Sequence, residues 1–392
     1  MMIGGLIYQL YGAYVVLLER EFGWTKTAMS AVYSVFRVES GLLGPPQGWL
    51  LDRYGPRPVM RAGVVLVGAG FIALSQIDSL SAFLLSFLVI AVGTSFCGHL
   101  SICVAIVNWF HRKKAQAISM SSMGFAVGGF IVPLAVLALE RWGWRNTAFA
   151  TGIIFLTVGL WLTRPFWTRP EERGCTVDGV PEDPAGPGAD GSDDLRYTVR
   201  EAMASPAFWT LSFGHASALV IVSAVSVHLI PHLIESLGFS LAQAGIAVMA
   251  MTSMQFIGLG LGGYLGDRFD SRRMAIVCMF MHGAGLLCLA FATSWTAVAA
   301  FAVFHGLGWG SRAPLMQAMR ADYFGRRSYG MIGGYSSLIV TLGTSGGPIL
   351  TAALFDYFGN YRYSFAGVAV FSLVGAAMFW LARPPHSARN VS

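Results

Sequence analysis

The sequence predicts an all-α membrane protein: twelve transmembrane helices in two pseudo-symmetric six-helix bundles. Three observations predict it. The composition is that of a chain solvated by lipid, the apolar residues fall into twelve runs, and a set of landmarks recurs once at a nearly constant offset.

Of 392 residues, 55% are hydrophobic and 12% charged. A soluble domain carries about 25% charged residues. The mean hydropathy is +0.60. A water-soluble chain of this length cannot hide so much apolar surface, so lipid must cover much of it. The apolar runs lie at about 1–18, 27–50, 58–77, 80–108, 115–139, 146–166, 207–234, 241–265, 274–294, 296–319, 328–354 and 363–382. No basic region precedes the first run, so no cleavable signal peptide is read there. As a helix, residues 1–18 would rise only about 27 Å, barely a span. The first helix is therefore expected to be truncated, with Met1 falling inside it.

The longest polar stretch is 167–205. It holds Pro181, Pro184 and Pro187 and the acidic Asp190, Asp193 and Asp194. That composition reads as a flexible cytoplasmic linker. It divides the chain into an N-terminal bundle, 1–166, and a C-terminal bundle, 206–392.

Charge sets the orientation. Alternate loops, with the linker and the C-terminal tail, hold Arg53, Arg57, Arg61, Arg112, Lys113, Lys114, Arg164, Arg169, Arg173, Arg196, Arg200, Arg268, Arg272, Arg273, Arg320, Arg326, Arg327, Arg383 and Arg389, which is 19 of the 26 Lys and Arg. The other loops hold Arg20, Lys26, Arg141, Arg145 and Arg362. Basic residues stay on the cytoplasmic side, so both termini are expected there. The net charge of +6 is thus topological and needs no nucleic-acid partner. The cysteines Cys97, Cys103, Cys175, Cys278 and Cys288 form no Cys-x-x-Cys pair. No disulfide frame, metal site or cofactor is expected.

The internal repeat is explicit. Gly23-Trp24-Thr25 returns as Gly238-Phe239-Ser240, and Gly48-Trp49-Leu50-Leu51-Asp52-Arg53 as Gly263-Tyr264-Leu265-Gly266-Asp267-Arg268. Trp109-Phe110 returns as Tyr323-Phe324, and Trp144-Arg145 as Tyr361-Arg362. The offsets are 215, 215, 214 and 217. Six spans separate the copies, so both keep one orientation. Parallel repeats of this kind place a ligand at mid-membrane between them.

The pattern Gly48-x-x-x-Asp52-Arg53-x-Gly55-x-Arg57, with its degraded copy from Gly263 to Arg273, resembles the loop signature of the major facilitator superfamily. The resemblance covers essentially the whole chain. Asn108-Trp109-Phe110 with Arg112-Lys113-Lys114, Val227-His228-Leu229-Ile230-Pro231-His232, and Ala321-Asp322-Tyr323-Phe324-Gly325-Arg326-Arg327 resemble the branch of monocarboxylate transporters and oxalate–formate antiporters. The resemblance implies the major facilitator fold and a small organic anion as substrate. This sequence departs from the monocarboxylate members in two places. The first span has no lysine, and the eighth, 241–265, has no charge.

Asp52 is read as a conformational latch. A carboxylate at a span's cytoplasmic end can accept backbone N–H groups of a nearby helix start and pair with arginine. Arg53 and Arg57, and Asp267 and Arg268 in the second copy, complete that reading. The plainer role for Arg57, Arg61 and Lys113 is orientation alone.

Three charges fall well inside spans: Arg37, Glu39 and Arg312. Each costs at least about 2.5 kcal/mol to place there, so each needs a partner or a wet cavity. Arg312 lies ten residues before Asp322, about 15 Å into the membrane. It is the leading candidate to hold a substrate carboxylate in its planar fork. His305, seven residues earlier, shares its helix face. Arg37 is a candidate second anion contact, and Glu39 a candidate proton carrier. His99 corresponds to Arg312 within a residue at the repeat offset. Tyr11, Tyr33 and His228 complete the candidate substrate-binding set. Buried packing or a hydrogen-bonded network is the plainer role for each.

No phosphate loop, nucleophile–base arrangement or metal-ligand cluster is present, so neither an ATP-driven pump nor an enzyme is read here. The expected protein is a monomeric, multi-pass secondary transporter in a bacterial inner (plasma) membrane. It would move a mono- or dicarboxylate by alternating access, with protons or by exchange. Efflux of drugs or other small molecules, and a non-transporting membrane receptor or sensor, are the alternatives.

Overall fold

The structure is a computed structural model that describes residues 14, 17–18, 21–24, 39, 41–110, 112–164, 166–168, 170, 174–177 and 197–385. Among the described residues it is helical almost throughout, with no strand.

In the first half, α1 is Gly44–Tyr54, α2 Pro56–Leu74, α3 Leu80–Phe96, α4 His99–Trp109 and α5 Lys114–Ile154. Pro45 and Pro46 open α1, where a missing N–H costs least. Gly55 ends α1 at φ 80° and Pro56 opens α2. That left-handed turn needs a glycine, which is why the signature keeps one three residues after Asp52. Ser79 caps α3 by accepting from the Ala82 N–H at 3.2 Å.

The expected span 80–108 is two helices. The chain breaks at Cys97 and Gly98, where Gly98 adopts an extended conformation. The Ser101 hydroxyl caps the break by donating to the Phe96 carbonyl at 2.5 Å. Spans five and six are also two helices, since the helical run α5 is broken inside the expected gap between them. The reversal is a single residue, Gly143, at φ 77° and ψ 160°.

In the second half, α6 is Pro206–Leu237, α7 Leu241–Gly266, α8 Ser271–Ala290, α9 Trp295–Phe324, α10 Tyr329–Phe358 and α11 Tyr361–Leu381. These match the expected spans within a few residues. Ser240 and Gln243 form a capping box at the start of α7. Among the described residues, eight helices are long and apolar enough to cross a membrane. Leu342, Ile349, Met249 and Trp380 are exposed, and apolar side chains so placed suit lipid rather than water.

Glycine sets how closely α9 is held. A Cβ at Gly306 or Gly310 would strike the α7 backbone at Met251 or Gln255, and one at Gly308 would crowd the Cys278 carbonyl of α8. The Ser311 hydroxyl also donates to the Gly258 carbonyl of α7 at 2.9 Å. Small residues admit such backbone approach in membranes. One loop assignment is corrected here. Arg320 is not a solvated loop charge, because α9 continues to Phe324. It is 8% exposed and donates to Gln317 Oε1 at 2.9 Å and to Ser336 Oγ at 3.0 Å.

The chain groups into two compact units. One comprises Met1–His111, Ser121–Ala189 and Tyr329–Gly334; the other comprises Arg112–Met120, Asp190–Ser328 and Tyr335–Ser392. In each, a short segment from the opposite half of the sequence has joined. The reason lies in two aspartates.

Candidate functional site

In the first unit, Asp52 lies near the C-terminal end of α1. Its Oδ1 accepts from the Gly330 N–H and its Oδ2 from the Met331 N–H, both at 2.8 Å. These are among the four N–H groups at the start of α10 that have no partner within the helix. The positive end of the helix dipole adds to the attraction. Gly48, one turn before Asp52, permits the approach: a Cβ there would overlap the Gly330 carbonyl and the Met331 Cα.

The second unit repeats the arrangement. Asp267 Oδ1 accepts from the Ala115 N–H at 2.9 Å, and Oδ2 from the Gln116 N–H at 3.0 Å. All three relations share one offset: 267−52, 330−115 and 331−116 each equal 215. Each copy's loop carboxylate thus caps the corresponding helix of the other copy. In the second unit Lys114 also pairs with Asp322.

Burial pushes the Asp52 carboxyl up to about 6, against the pull of its two N–H donors. Burial likewise raises Asp267 against the donors Gln116 and Ala115. The arginines of the signature do not pair with these carboxylates, contrary to the expectation from sequence. Arg53 lies over the Trp49 and Tyr54 rings at 5.7 Å, Arg57 over Trp167 at 4.3 Å, and Arg268 over Tyr264 at 4.2 Å. The carboxylate oxygens are taken up by backbone donors, and the aromatic faces offer the cations a better seat.

Gly48→Ala should therefore lift α1 off the start of α10. Amide exchange at Gly330 and Met331 should rise by about tenfold or more. Unchanged exchange in that variant would show that Gly48 and Asp52 do not hold the α10 start.

Arg312 lies deep in α9 and is 1% exposed. Its Nε and Nη1 have no hydrogen-bond partner, and no described carboxylate forms a salt bridge with it. His305 is fully buried one face-repeat away, stacked on Phe301 with ring centroids at 5.3 Å. It meets a residue that sequence reasoning missed, His282 of α8. The two Nδ1 atoms are 3.2 Å apart, and both Nε2 atoms are buried without a partner. His282 follows Cys278 by one turn on α8. Nothing in the sequence shows that α8 and α9 face each other at this level, so His282 carried no signal of its own.

The remaining candidates are placed as follows. Glu39 lies against Ser95, with neither carboxylate oxygen in hydrogen-bond geometry with a described residue. Gln47 donates to the Ser95 carbonyl at 2.6 Å and lies 3.3 Å from Ser101 Oγ. His99 is on the exposed side of α4, with Nε2 3.5 Å from Cys103 Sγ. His228 Nε2 lies 3.1 Å from the Pro348 carbonyl, and His232 Nε2 lies 3.0 Å from the Leu289 carbonyl. Both tie α6 to its neighbours. Arg37, Tyr11 and Tyr33 lie outside the described residues.

This geometry agrees with comparisons to known proteins. The family model described as "Major Facilitator Superfamily" matches residues 1–229 and again 211–392. The chain is 23% identical to "Monocarboxylate transporter 13" of Bos taurus over 358 residues, covering 88% of this chain and 77% of that protein. It is 26% identical to "Monocarboxylate transporter 2" of Rattus norvegicus over 379 residues, covering 90% and 74%. Among solved structures, the fucose:proton symporter FucP of E. coli superposes with a TM-score of 0.73 at 13% identity, covering 98% of this chain and 97% of that one. That likeness shows the fold. The internal repeat, the helical architecture and the family match over both halves together show that the chain belongs to the Major Facilitator Superfamily and is a multi-pass membrane transporter.

Proposed function

We propose that the protein is a secondary transporter that moves a small mono- or dicarboxylate by alternating access. One observation carries the reading: a fully buried guanidinium that no described carboxylate neutralises. A charge so placed demands an anion. Arg312 offers Nε and Nη1 donors free for one, and the fork of a guanidinium matches a carboxylate bidentately. The similarity to monocarboxylate transporters over most of the chain supports the same class. Two arginines in the membrane, Arg37 and Arg312, argue against a purely apolar or cationic substrate.

Asp52 and Asp267 act in this reading as reciprocal latches, each binding a helix start in one state and releasing it in the other. A bacterial inner membrane, cytoplasmic termini, a monomer and the bundles 1–166 and 206–392 joined by a linker at 167–205 complete the proposal, on the charge pattern and the repeat.

The test is uptake into proteoliposomes of labelled mono- and dicarboxylates, beside neutral and cationic compounds, with and without a pH gradient. The expected result is saturable uptake of at least one carboxylate. Uptake of neutral or cationic compounds alone would overturn the anion reading in favour of efflux. Absence of any transport would favour a sensor.

A further inference from the structure

The His282–His305 pair is not explained by packing. Both rings are fully buried in the second unit. Their Nδ1 atoms, 3.2 Å apart, can bond only if one ring donates and the other accepts. The accepting ring then carries its proton on Nε2, and the donating ring has a bare Nε2. One N–H and one lone pair are thus left over, both buried and both without a partner. An apolar pair would fill the space at lower cost.

Arg312 is on the same face of α9 as His305, two turns on. Helical side chains lean toward the helix N-terminus, so Arg312 leans toward His305. Its charge acts on Cys278, His282 and His305 alike. Among the described residues, no other charge faces the cluster. On α7, the residues against α9 include Met251, Met254, Gln255, Gly258 and Gly262, and that helix carries no charged residue. On α11, Ser372 meets Gly283, and the titratable Tyr361, Arg362 and Tyr363 are confined to its first turn. From α6, His232 reaches the Leu289 carbonyl, seven residues beyond His282, while His215 and His228 stand elsewhere on that helix.

We propose that Arg312 and the His282–His305 pair form one site that takes up a small carboxylate together with a single proton, the carboxylate on the guanidinium and the proton on the imidazole pair. This rests on the reading of Arg312 as the anion holder. The proton adds to the bare Nε2 lone pair of the ring whose Nδ1 donates. That ring becomes imidazolium, its Nδ1–H bond to the partner ring is kept, and no bond breaks. Beside an uncompensated Arg312 the added charge is unfavourable; beside a bound carboxylate it is favourable. Anion and proton therefore bind cooperatively, and each raises the affinity for the other by the same factor. Glu39, on the other half of the chain, is not needed as the carrier.

The experiment uses the purified full chain in nanodiscs, in weak buffer with a pH-indicating dye, titrated with sodium formate, which is ionised above about pH 5. About one proton should be taken up per formate bound. Formate affinity should fall by about tenfold per pH unit above the pair's titration. In native protein labelled with 15N-histidine, formate should convert one bare imidazole nitrogen to N–H. His282→Asn and His305→Gln should each bind formate more weakly than native protein and without taking up a proton. Formate binding to native protein with no proton uptake, or with no change at the imidazole nitrogens, overturns the proposal and leaves the anion reading standing. So does proton uptake that survives both substitutions or disappears instead in Glu39→Gln. Failure of native protein to bind formate or any longer monocarboxylate at any pH overturns the site and the anion reading together.

Discussion

Arg312→Met should abolish carboxylate transport, by at least about a hundredfold, while leaving the protein as stable as the native chain or more so. The two effects have one cause. The guanidinium is 1% exposed with two nitrogens unpartnered, so its charge is buried with no described carboxylate to neutralise it. Replacing such a charge with an apolar side chain of similar length is commonly neutral or stabilising by about 1–4 kcal/mol. The same replacement removes a bidentate, charge-assisted pair with the anion, a loss of about 3 kcal/mol or more. Arg312→Lys should fall between, since an ammonium keeps the charge but not the fork. Uptake assays with thermal unfolding of detergent-solubilised protein check both halves. Transport lost together with stability would mark Arg312 as a structural residue, and transport retained would remove it from the mechanism.

Asp52→Asn should leave membrane insertion unchanged and cut the transport rate by about tenfold or more. The carboxylate serves two N–H donors at 2.8 Å. The amide has one acceptor oxygen, and its NH2 faces the other donor. The lost pairing is worth about 2 kcal/mol, which displaces the capped arrangement about thirtyfold. The native latch should also be sensitive to acid. Burial places the Asp52 carboxyl at about 6, against the pull of the Met331 and Gly330 N–H groups, which lowers it. Protonation removes the charge that those donors bind and so weakens the cap, as the amide does. The charge-assisted part of the cap is present above about 6 and is lost as pH falls through it. Transport should slow over that range as it does in Asp52→Asn. Asp52→Asn should flatten that part of the profile. The pH dependence of uptake at fixed external pH checks this, and an identical profile in the variant would contradict it.

The scaffold was readable because it rests on local signals. Apolar runs long enough to span, and proline or glycine where the chain must turn, show in one dimension. The end of α1 is an example, where Asp52, Gly55 and Pro56 follow one another. The break at Gly98 was not readable, because a glycine within an apolar run reads equally well as continuous helix. Arg320 was misplaced for a similar reason: its charge suggested a loop, yet Gln317 and Ser336 satisfy it inside the bundle.

The site was legible only in part. The sequence marked Asp52 as an acceptor for a helix start, and the structure shows which start. Its donors stand at the same offset of 215 from those of Asp267, a regularity that was present in the sequence but meaningless without the pairing. Arginine partners were expected for both carboxylates; the rings that take Arg53 and Arg268 lie four residues earlier in the chain, Trp49 and Tyr264, and only Trp167 comes to Arg57 by packing. Arg312 could be singled out because a charge in an apolar run is conspicuous. His282 could not, since its meaning depends on the facing helix.

The most direct test of the central claim is counterflow. Proteoliposomes loaded with an unlabelled monocarboxylate are diluted into the same labelled compound, so that exchange through a substrate-loaded carrier drives a transient overshoot without any ion gradient. The account predicts an overshoot with native protein and none with Arg312→Met, in vesicles holding equal amounts of folded protein. An overshoot of equal size in Arg312→Met, or one obtained with neutral compounds and not with carboxylates, would contradict it.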